Sequence, residues 1–109
     1  MRYVVDGNQI PMNMNGGNGS KVLLTAENGC VHDCMTGVSY NYLTEYPQPQ
    51  AHEFQEGFYV VSGKGWAKVG DQEFPVYAGV SFLAPAHVYH AVKTDDAGDP
   101  VVVFWFHAQ

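Results

Sequence analysis

Positive charge is scarce in this chain. Its 109 residues include five Lys and Arg against eleven Asp and Glu, which gives a formal net charge of -6 at pH 7. Binding to nucleic acids depends on cationic side chains that neutralise phosphates, so no nucleic-acid partner is expected. Long apolar runs are also missing, since none approaches the roughly 20 residues that a membrane-spanning helix requires. No membrane partner is expected either.

Cysteine is the next scarce residue type. Cys30 and Cys34 are the only two, whereas a disulfide framework would need more, so both are expected as free thiols that pack as small apolar side chains. In an extended strand they would share a face with His32, but a zinc site usually needs a fourth ligand and a different spacing. The first six residues lack the continuous apolar core of an export signal, which makes the cytoplasm the expected location.

Helical periodicity is absent as well. From residue 58 onward, short runs of β-branched and aromatic residues alternate with glycine-containing turns such as Gly63-Lys64-Gly65. We predict about eight to eleven short strands, which implies an all-β double-stranded barrel or jelly roll with few or no helices.

The domain organisation follows from length and composition. We predict a single domain over residues 1–109, with residues 1–20 as an N-terminal arm and loop because residues 6–20 are rich in Asn, Gly and Met. Asn28-Gly29 predicts a hairpin-like corner. Two short strands are expected between Cys30 and Tyr46, with Gly37 as a candidate bulge.

A group of metal-ligand side chains precedes the apolar strand that begins at Phe58. Gln50 and His52 lie two residues apart and therefore point to the same side of an extended segment, and a short turn can bring Glu56 beside them. His90 heads a later strand-like run and is the expected fourth member. Amide, carboxylate and imidazole donors suit a divalent transition metal. The alternative is that these side chains are hydrogen-bonded polar groups inside a metal-free barrel.

The spacing of these residues resembles the two sequence motifs of a small cupin. The first motif has the form G-x5-H-x-H-x3 or 4-E-x6-G, and here His52 is followed by three residues, Glu56, six residues and Gly63. Gln50 stands where the family usually has its first histidine. The resemblance covers residues 42–103.

The second cupin motif, G-x5-P-x-G-x2-H-x3-N, is matched in part. Gly79 is followed by five residues and Pro85, and His90 takes the metal-ligand position. His87 replaces the motif glycine, and the final asparagine is missing. The resemblance implies a double-stranded β-helix of the RmlC type, which is commonly dimeric and holds a metal in its mouth.

Two functional classes are compatible with this resemblance. The first is an enzyme, a dioxygenase, isomerase or lyase, that uses Fe, Mn, Ni or Zn held by Gln50, His52, Glu56 and His90 to act on a small, metal-chelating, oxygenated substrate. The second is a non-catalytic module that binds a carbohydrate or an organic acid. Cupins include both classes, and the fold does not select the reaction.

Further side chains are candidates for substrate contact and proton transfer. His87 and Glu53 are candidate acids or bases. Aromatic residues on the predicted strands are candidates for a substrate pocket, with core or interface packing as the alternative role. These aromatic candidates are Tyr40, Tyr42, Phe58, Tyr89 and Trp105. The aromatic strand 103–106 exceeds what a small barrel can bury, so a homodimer is expected.

Overall fold

The computed structural model describes residues 1–109 as nine strands and two single-turn 3-10 helices. The 3-10 helices are Gly7–Gln9 and Ala26–Asn28. The strands are β1 (Asn13–Asn15), β2 (Asn18–Val22), β3 (Met35–Asn41), β4 (Gln55–Ser62), β5 (Lys64–Val69), β6 (Gln72–Tyr77), β7 (Ser81–Ala84), β8 (His90–Thr94) and β9 (Val101–Ala108). The predicted all-β fold with few helices is confirmed. Neither helix has the length and hydropathy needed to cross a membrane.

The strands form two antiparallel sheets that face each other. The larger sheet has the order β1-β2-β3-β9-β4-β7, and the smaller sheet has the order β6-β5-β8. Apolar side chains from both sheets meet in one cluster of nine buried residues. This packing makes the jelly-roll barrel, and it leaves the inner faces of β4, β8 and β9 directed at a common interior.

Alternation from Phe58 to Val61 in β4 and along β9 determines which side chains enter that interior. In β4, Phe58 and Val60 are buried while Tyr59 between them is exposed. In β9, Val101, Val103 and Trp105 are buried. Alternation of this kind is expected where one face of an antiparallel sheet packs on a core.

The N-terminal segment contains a hairpin in addition to the expected arm and loop. β1 and β2 pair through the turn Gly16-Gly17, whose positive φ angles of 61° and 91° suit a two-residue hairpin loop. β2 then pairs with β3. The hairpin therefore extends the larger sheet beside the inner faces of β3 and β9.

The segment before β3 differs from the sequence-based prediction. The chain does reverse near Asn28-Gly29, because β2 and β3 pair antiparallel and Gly29 has a φ angle of 102°. The corner is not a tight Asn-Gly turn, since Asn28 ends a 3-10 helix that Thr25 caps. Cys30 to Cys34 form a turn in which His32 and Asp33 have φ angles of 54° and 58°. The two cysteines and His32 therefore do not share a strand face, and both cysteines are free thiols.

Gly37 allows the Trp105 ring to pack closely against β3, and it does not form the predicted bulge. It pairs in register with Val22 on one side and Trp105 on the other. A Cβ atom at this position would collide with the Trp105 indole ring. The irregularity in the larger sheet lies in β4 instead, between Val60 and Ser62.

Candidate metal centre

Backbone hydrogen bonds join the loop before β4 to the start of β8. The Gln50 N–H donates to the His90 carbonyl at 3.0 Å, and the His90 N–H donates to the Gln50 carbonyl at 2.9 Å. The His87 N–H donates to the His52 carbonyl at 2.7 Å. These bonds hold His52 beside His90, although the two residues come from different parts of the chain.

Three predicted ligands meet at the open end of the barrel interior. Glu56 Oε1 lies 3.3 Å from His52 Nε2 and 3.2 Å from His90 Nε2. One donor atom from each of these residues lies within 4.8 Å of the other two. Two imidazoles and one carboxylate form a donor set found in non-haem Fe(II) sites and compatible with other divalent transition metals.

The hydrogen bonding of these donors supports the fit to a cation. Glu56 Oε1 is buried and has no hydrogen-bond partner, despite the two nearby imidazole nitrogens. His90 Nδ1 lies 3.3 Å from the Val88 carbonyl, which can only accept, so Nδ1 carries the proton of the neutral ring. The Nε2 lone pair of His90 then faces the carboxylate oxygen. A divalent metal would satisfy both atoms, so these residues fit such an ion.

A proton is the other cation that can satisfy this pair. Burial lowers the pKa of His90, but the hydrogen bond that its protonated ring would give to Glu56, the contact with the Val88 carbonyl and the charge of Glu56 raise it by more. The net effect is a pKa above the usual histidine value. His90 therefore has two ways to neutralise the buried carboxylate, protonation or a shared metal ion.

His107 is a fourth polar residue of the site, and the spacing of the sequence motifs did not predict it. It lies opposite Glu56 in the β4–β9 pairing, and its Nε2 is 3.4 Å from Glu56 Oε2. Burial lowers its pKa more than the attraction of Glu56 raises it. The signal that could have found it is the alternation of β9, because Val103, Trp105 and His107 share one face.

A cavity of about 720 Å³ opens onto these four side chains. Phe58 and Trp105, both predicted pocket residues, contribute to its wall. Gln50 also lines it but is exposed. Amide and hydroxyl side chains surround much of the remaining wall, and no Lys or Arg is among them. The polar wall residues from the first three strands are Asn13, Asn15, Asn18, Ser20, Ser39 and Asn41.

The other predicted aromatic residues lie outside this cavity wall. Tyr40 is opposite Val102 in the β3–β9 pairing, with the Lys21 ammonium 6.0 Å from its ring centroid. The backbone N–H of Tyr42 donates to Asn18 Oδ1. Tyr89 is 64% exposed. Two of the five predicted pocket residues, Phe58 and Trp105, therefore meet the metal-ligand group.

Neither acid–base candidate lines the cavity that contains the donor group. His87 is exposed, with a φ angle of 67°. Glu53 is exposed and lines a separate hollow of about 610 Å³ with Asp33 and Gln109. Neither residue is therefore among those that line the cavity of the predicted ligands.

The fold and site define a class of protein: a jelly-roll barrel whose mouth carries two histidines and a glutamate that could hold a metal ion. Residues 43–107 match the family model described as the cupin domain. The chain belongs to the cupin family, which confirms the resemblance seen in its two motifs. A search of curated proteins gave no significant match.

Solved structures with the same fold are numerous. An RmlC-like cupin from Shewanella frigidimarina NCIMB 400 has a TM-score of 0.79 and 22% identity, over 100% of this chain and 93% of that chain. KdgF from Halomonas sp. has a TM-score of 0.78 and 18% identity, over 97% and 93%. The polyketide cyclase RemF from Streptomyces resistomycificus has a TM-score of 0.82 and 15% identity, over 98% and 79%. These likenesses establish a shared fold.

Proposed function

We propose that this cupin is a metal-dependent enzyme that acts on a small oxygenated substrate. The observation that carries the proposal is the group of His52, Glu56 and His90, whose donor atoms lie together at the cavity and include a buried, unpartnered carboxylate oxygen. Three protein donors are typical of catalytic metal sites, whereas structural sites usually use four. A similarly folded protein, the polyketide cyclase, is an enzyme, which supports this class.

The metal would be Fe, Mn, Ni or Zn, held by these three residues, with Gln50 proposed as an additional oxygen donor. When bound, such an ion supplies Lewis acidity, and Fe in particular can also support oxygen chemistry. The chain's own contribution is orientation and exclusion of water. Phe58 and Trp105 provide apolar wall beside the donors, and the His90 ring is oriented by the Val88 carbonyl.

The composition of the cavity wall narrows the substrate class. Phosphate and polycarboxylate ligands are usually recognised by Arg or Lys, and neither type lines this cavity. Asn13 and Asn15 line the cavity wall, and their amide side chains can both donate to and accept from substrate oxygens. We propose a substrate without phosphate that chelates the metal through neighbouring oxygens, such as a hydroxy-carbonyl or β-dicarbonyl compound.

The second candidate function is a non-catalytic module for a carbohydrate or an organic acid. Two observations favour it: Gln50 occupies the position of the family's first histidine, and the cavity wall is rich in amides that can bind hydroxyl groups. Such a module would bind its ligand without converting it. The two candidates therefore differ in turnover.

A panel experiment tests the enzyme proposal. Metal-free protein and its Fe(II), Mn(II), Ni(II) and Zn(II) forms are titrated with hydroxy-acids, keto-sugars and β-dicarbonyls, followed by product analysis with and without oxygen. We expect binding that requires metal, and turnover. Turnover that needs both Fe(II) and oxygen would identify a dioxygenase, and oxygen-independent turnover an isomerase or lyase. Equal binding by metal-free and metal-loaded protein would contradict metal-centred recognition, and binding without turnover would favour the module.

We also propose that the chain forms a homodimer through the outer face of β4, β7 and β9. Tyr59, Val61, Leu83 and Phe106 are between 40% and 50% exposed there. Leu83 and Phe106 both pair with Gly57, which makes the apolar surface continuous across the three strands. A solvated sheet face usually carries polar side chains, and a larger apolar patch commonly marks an interface.

Sedimentation of the wild type and two variants tests this assembly. Leu83→Lys should shift the protein towards monomer, because it brings a charge into the apolar face. Val22→Lys changes an exposed valine on a different strand and should leave the dimer intact. A stable wild-type monomer at micromolar concentration would contradict the proposal.

The two free thiols suit a reducing compartment, and we propose the cytoplasm as the location.

A further inference from the structure

We infer that His107 is a positioning residue for the proposed metal centre, on which this inference rests. In this role the His107 Nε2, which lies 3.4 Å from Glu56 Oε2, would donate a hydrogen bond to that oxygen and so keep Oε1 as the oxygen that faces His52 and His90. Neither cupin motif contains this position, and the role follows from the packing of β9 against β4.

The strand pairing determines where His107 lies. His107 is directly opposite Glu56, and the neighbouring inward pair is Phe58 with Trp105. Both strands lie in the middle of the larger sheet, where β9 is flanked by β3 and β4. A histidine on this rigid pair can orient a carboxylate more firmly than one on a loop.

Aromatic packing determines the orientation of the ring. The His107 ring centroid is 4.2 Å from that of Phe54 and 4.7 Å from that of Trp105, with interplanar angles of 36° and 23°. Phe54 also stacks on His52 at 4.9 Å and 8°. Rotation of His107 away from Glu56 would lose contacts with both aromatic rings. The side chain is only 17% exposed, so water competes weakly for its nitrogen.

The two oxygens of Glu56 face different partners, which indicates that His107 positions the carboxylate and does not itself bind the metal. Oε1 faces His52 and His90, whereas His107 Nε2 faces Oε2 at 3.4 Å. The donors that lie mutually within 4.8 Å are His52, Glu56 and His90, without His107. A shift of a few tenths of an ångström would bring Nε2 and Oε2 to the usual hydrogen-bond distance of about 2.7–3.2 Å. A carboxylate held in this way presents one oxygen to a metal.

Two substitutions at position 107 distinguish the effect of losing the hydrogen-bond donor from the effect of changing the shape of the side chain. His107→Leu removes the donor, and His107→Gln retains an N–H that can reach the carboxylate. Zn(II) affinity of the metal-free protein is measured by competition with a chelating dye. Loss of an outer partner typically weakens metal binding about 10–100-fold, which we expect for His107→Leu, with recovery to within about threefold in His107→Gln. His32→Asn removes an exposed histidine outside the site and should leave the affinity unchanged.

A spectroscopic count of the bound imidazoles in the wild type and in His107→Leu completes the test. Pulsed electron paramagnetic resonance of the Cu(II)-loaded protein should detect two coordinated imidazoles, from His52 and His90. A third imidazole that disappears in His107→Leu would overturn the positioning role and make His107 a ligand. Unchanged Zn(II) affinity in His107→Leu, or equally weak binding by His107→Gln, would also overturn it. A wild type that binds no metal would instead refute the metal centre itself.

Discussion

The barrel interior has two halves that use the same two strands in opposite ways. In the sealed half, Val60 of β4 lies opposite Val103 of β9, and both are 0% exposed. In the open half, Glu56 lies opposite His107, and the carboxylate carries an unpartnered oxygen. One pair, Phe58 with Trp105, separates the two environments. A few residues along one ladder therefore change the interior from a dry core to a polar site.

The contrast between the two halves explains how the fold tolerates a site that lowers its stability. An unsatisfied buried acceptor costs about 1–3 kcal/mol. Complete burial of one valine-sized side chain contributes about 1.5–3 kcal/mol. The sealed half contains four valines that are 0–1% exposed, Val60, Val76, Val101 and Val103. Their burial can offset the unpaired oxygen of Glu56, so the metal-free chain is expected to stay folded.

A charge in the sealed half should have the largest effect. Val103→Asp places a carboxylate where no polar partner is available, at a cost above about 4 kcal/mol, which most small domains cannot sustain. Circular dichroism should show an unfolded chain. Val22→Asp, at a 44% exposed position of β2, is the control and should remain folded. A folded Val103→Asp protein would remove the distinction between the two halves.

Loss of the charge in the open half should affect stability and metal binding in opposite directions. In Glu56→Gln, the amide can donate to the neutral His90 ring while its carbonyl accepts from His107. We expect the metal-free variant to gain about 0.5–1.5 kcal/mol in free energy of unfolding, measured in urea above the usual pKa range of histidine. Its metal affinity should fall by more than the roughly 100-fold that loss of an outer partner can cause.

His52→Ala and His90→Ala provide the comparison for that substitution. Each removes one imidazole and should also lose bound metal, but neither supplies a new partner for Glu56 Oε1. Their metal-free forms should therefore remain folded without the gain expected of Glu56→Gln. Retention of stoichiometric metal in both alanine variants would contradict the site assignment.

The sealed half and part of the open half could be predicted from the sequence because their signals are local. The continuous apolar runs at residues 58–61 and 101–106 predict buried strands without knowledge of their partners. The spacing of His52 and Glu56 is likewise local. His90 could be proposed from its place at the head of a strand-like run and from the family motif, but its approach to His52 depends on backbone bonds between a loop and β8.

The remaining features depend on pairing between distant strands. His107 reaches Glu56 only because β9 and β4 pair in one register, and no spacing within either strand specifies that register. The same holds for Tyr40, which the β3–β9 pairing aligns with Val102 away from the cavity. β1 has low intrinsic strand preference in Asn13 and Asn15, so its pairing with β2 was not evident beyond the Gly-Gly turn.

Replacing Gln50 with histidine, the family's usual residue at this position, should strengthen metal binding in the open half. Gln50→His introduces an imidazole, a stronger donor than a neutral amide for transition metals. We expect metal binding to tighten by up to about tenfold, or about 1.4 kcal/mol. Gln48→His adds an imidazole elsewhere on the cavity wall and should have little effect. Weaker binding by Gln50→His would mean that position 50 does not face the metal donors.

The smallest expected effect is a pH dependence of stability that reverses when metal binds. In the metal-free chain, burial lowers the pKa of His90, but the bond that its protonated ring would give to Glu56, the contact with the Val88 carbonyl and the charge of Glu56 raise it overall. The folded state therefore holds this proton more tightly than the unfolded state. The stabilisation is complete below the ordinary histidine pKa of about 6.5 and is lost as the pH rises through the raised value.

His107 contributes with the opposite sign at lower pH, because burial lowers its pKa and the folded state resists its protonation. Between the ordinary pKa values of histidine and cysteine, about 6.5 and 8.5, the His90 contribution should dominate, and urea unfolding with a chelator present should show stability falling as the pH rises. His90→Gln should remove that decline. With saturating Zn(II) the slope should reverse, because the metal competes with protons for the same imidazoles. A metal-free chain whose stability rises with pH in this range would show that Glu56 does not share a proton with His90.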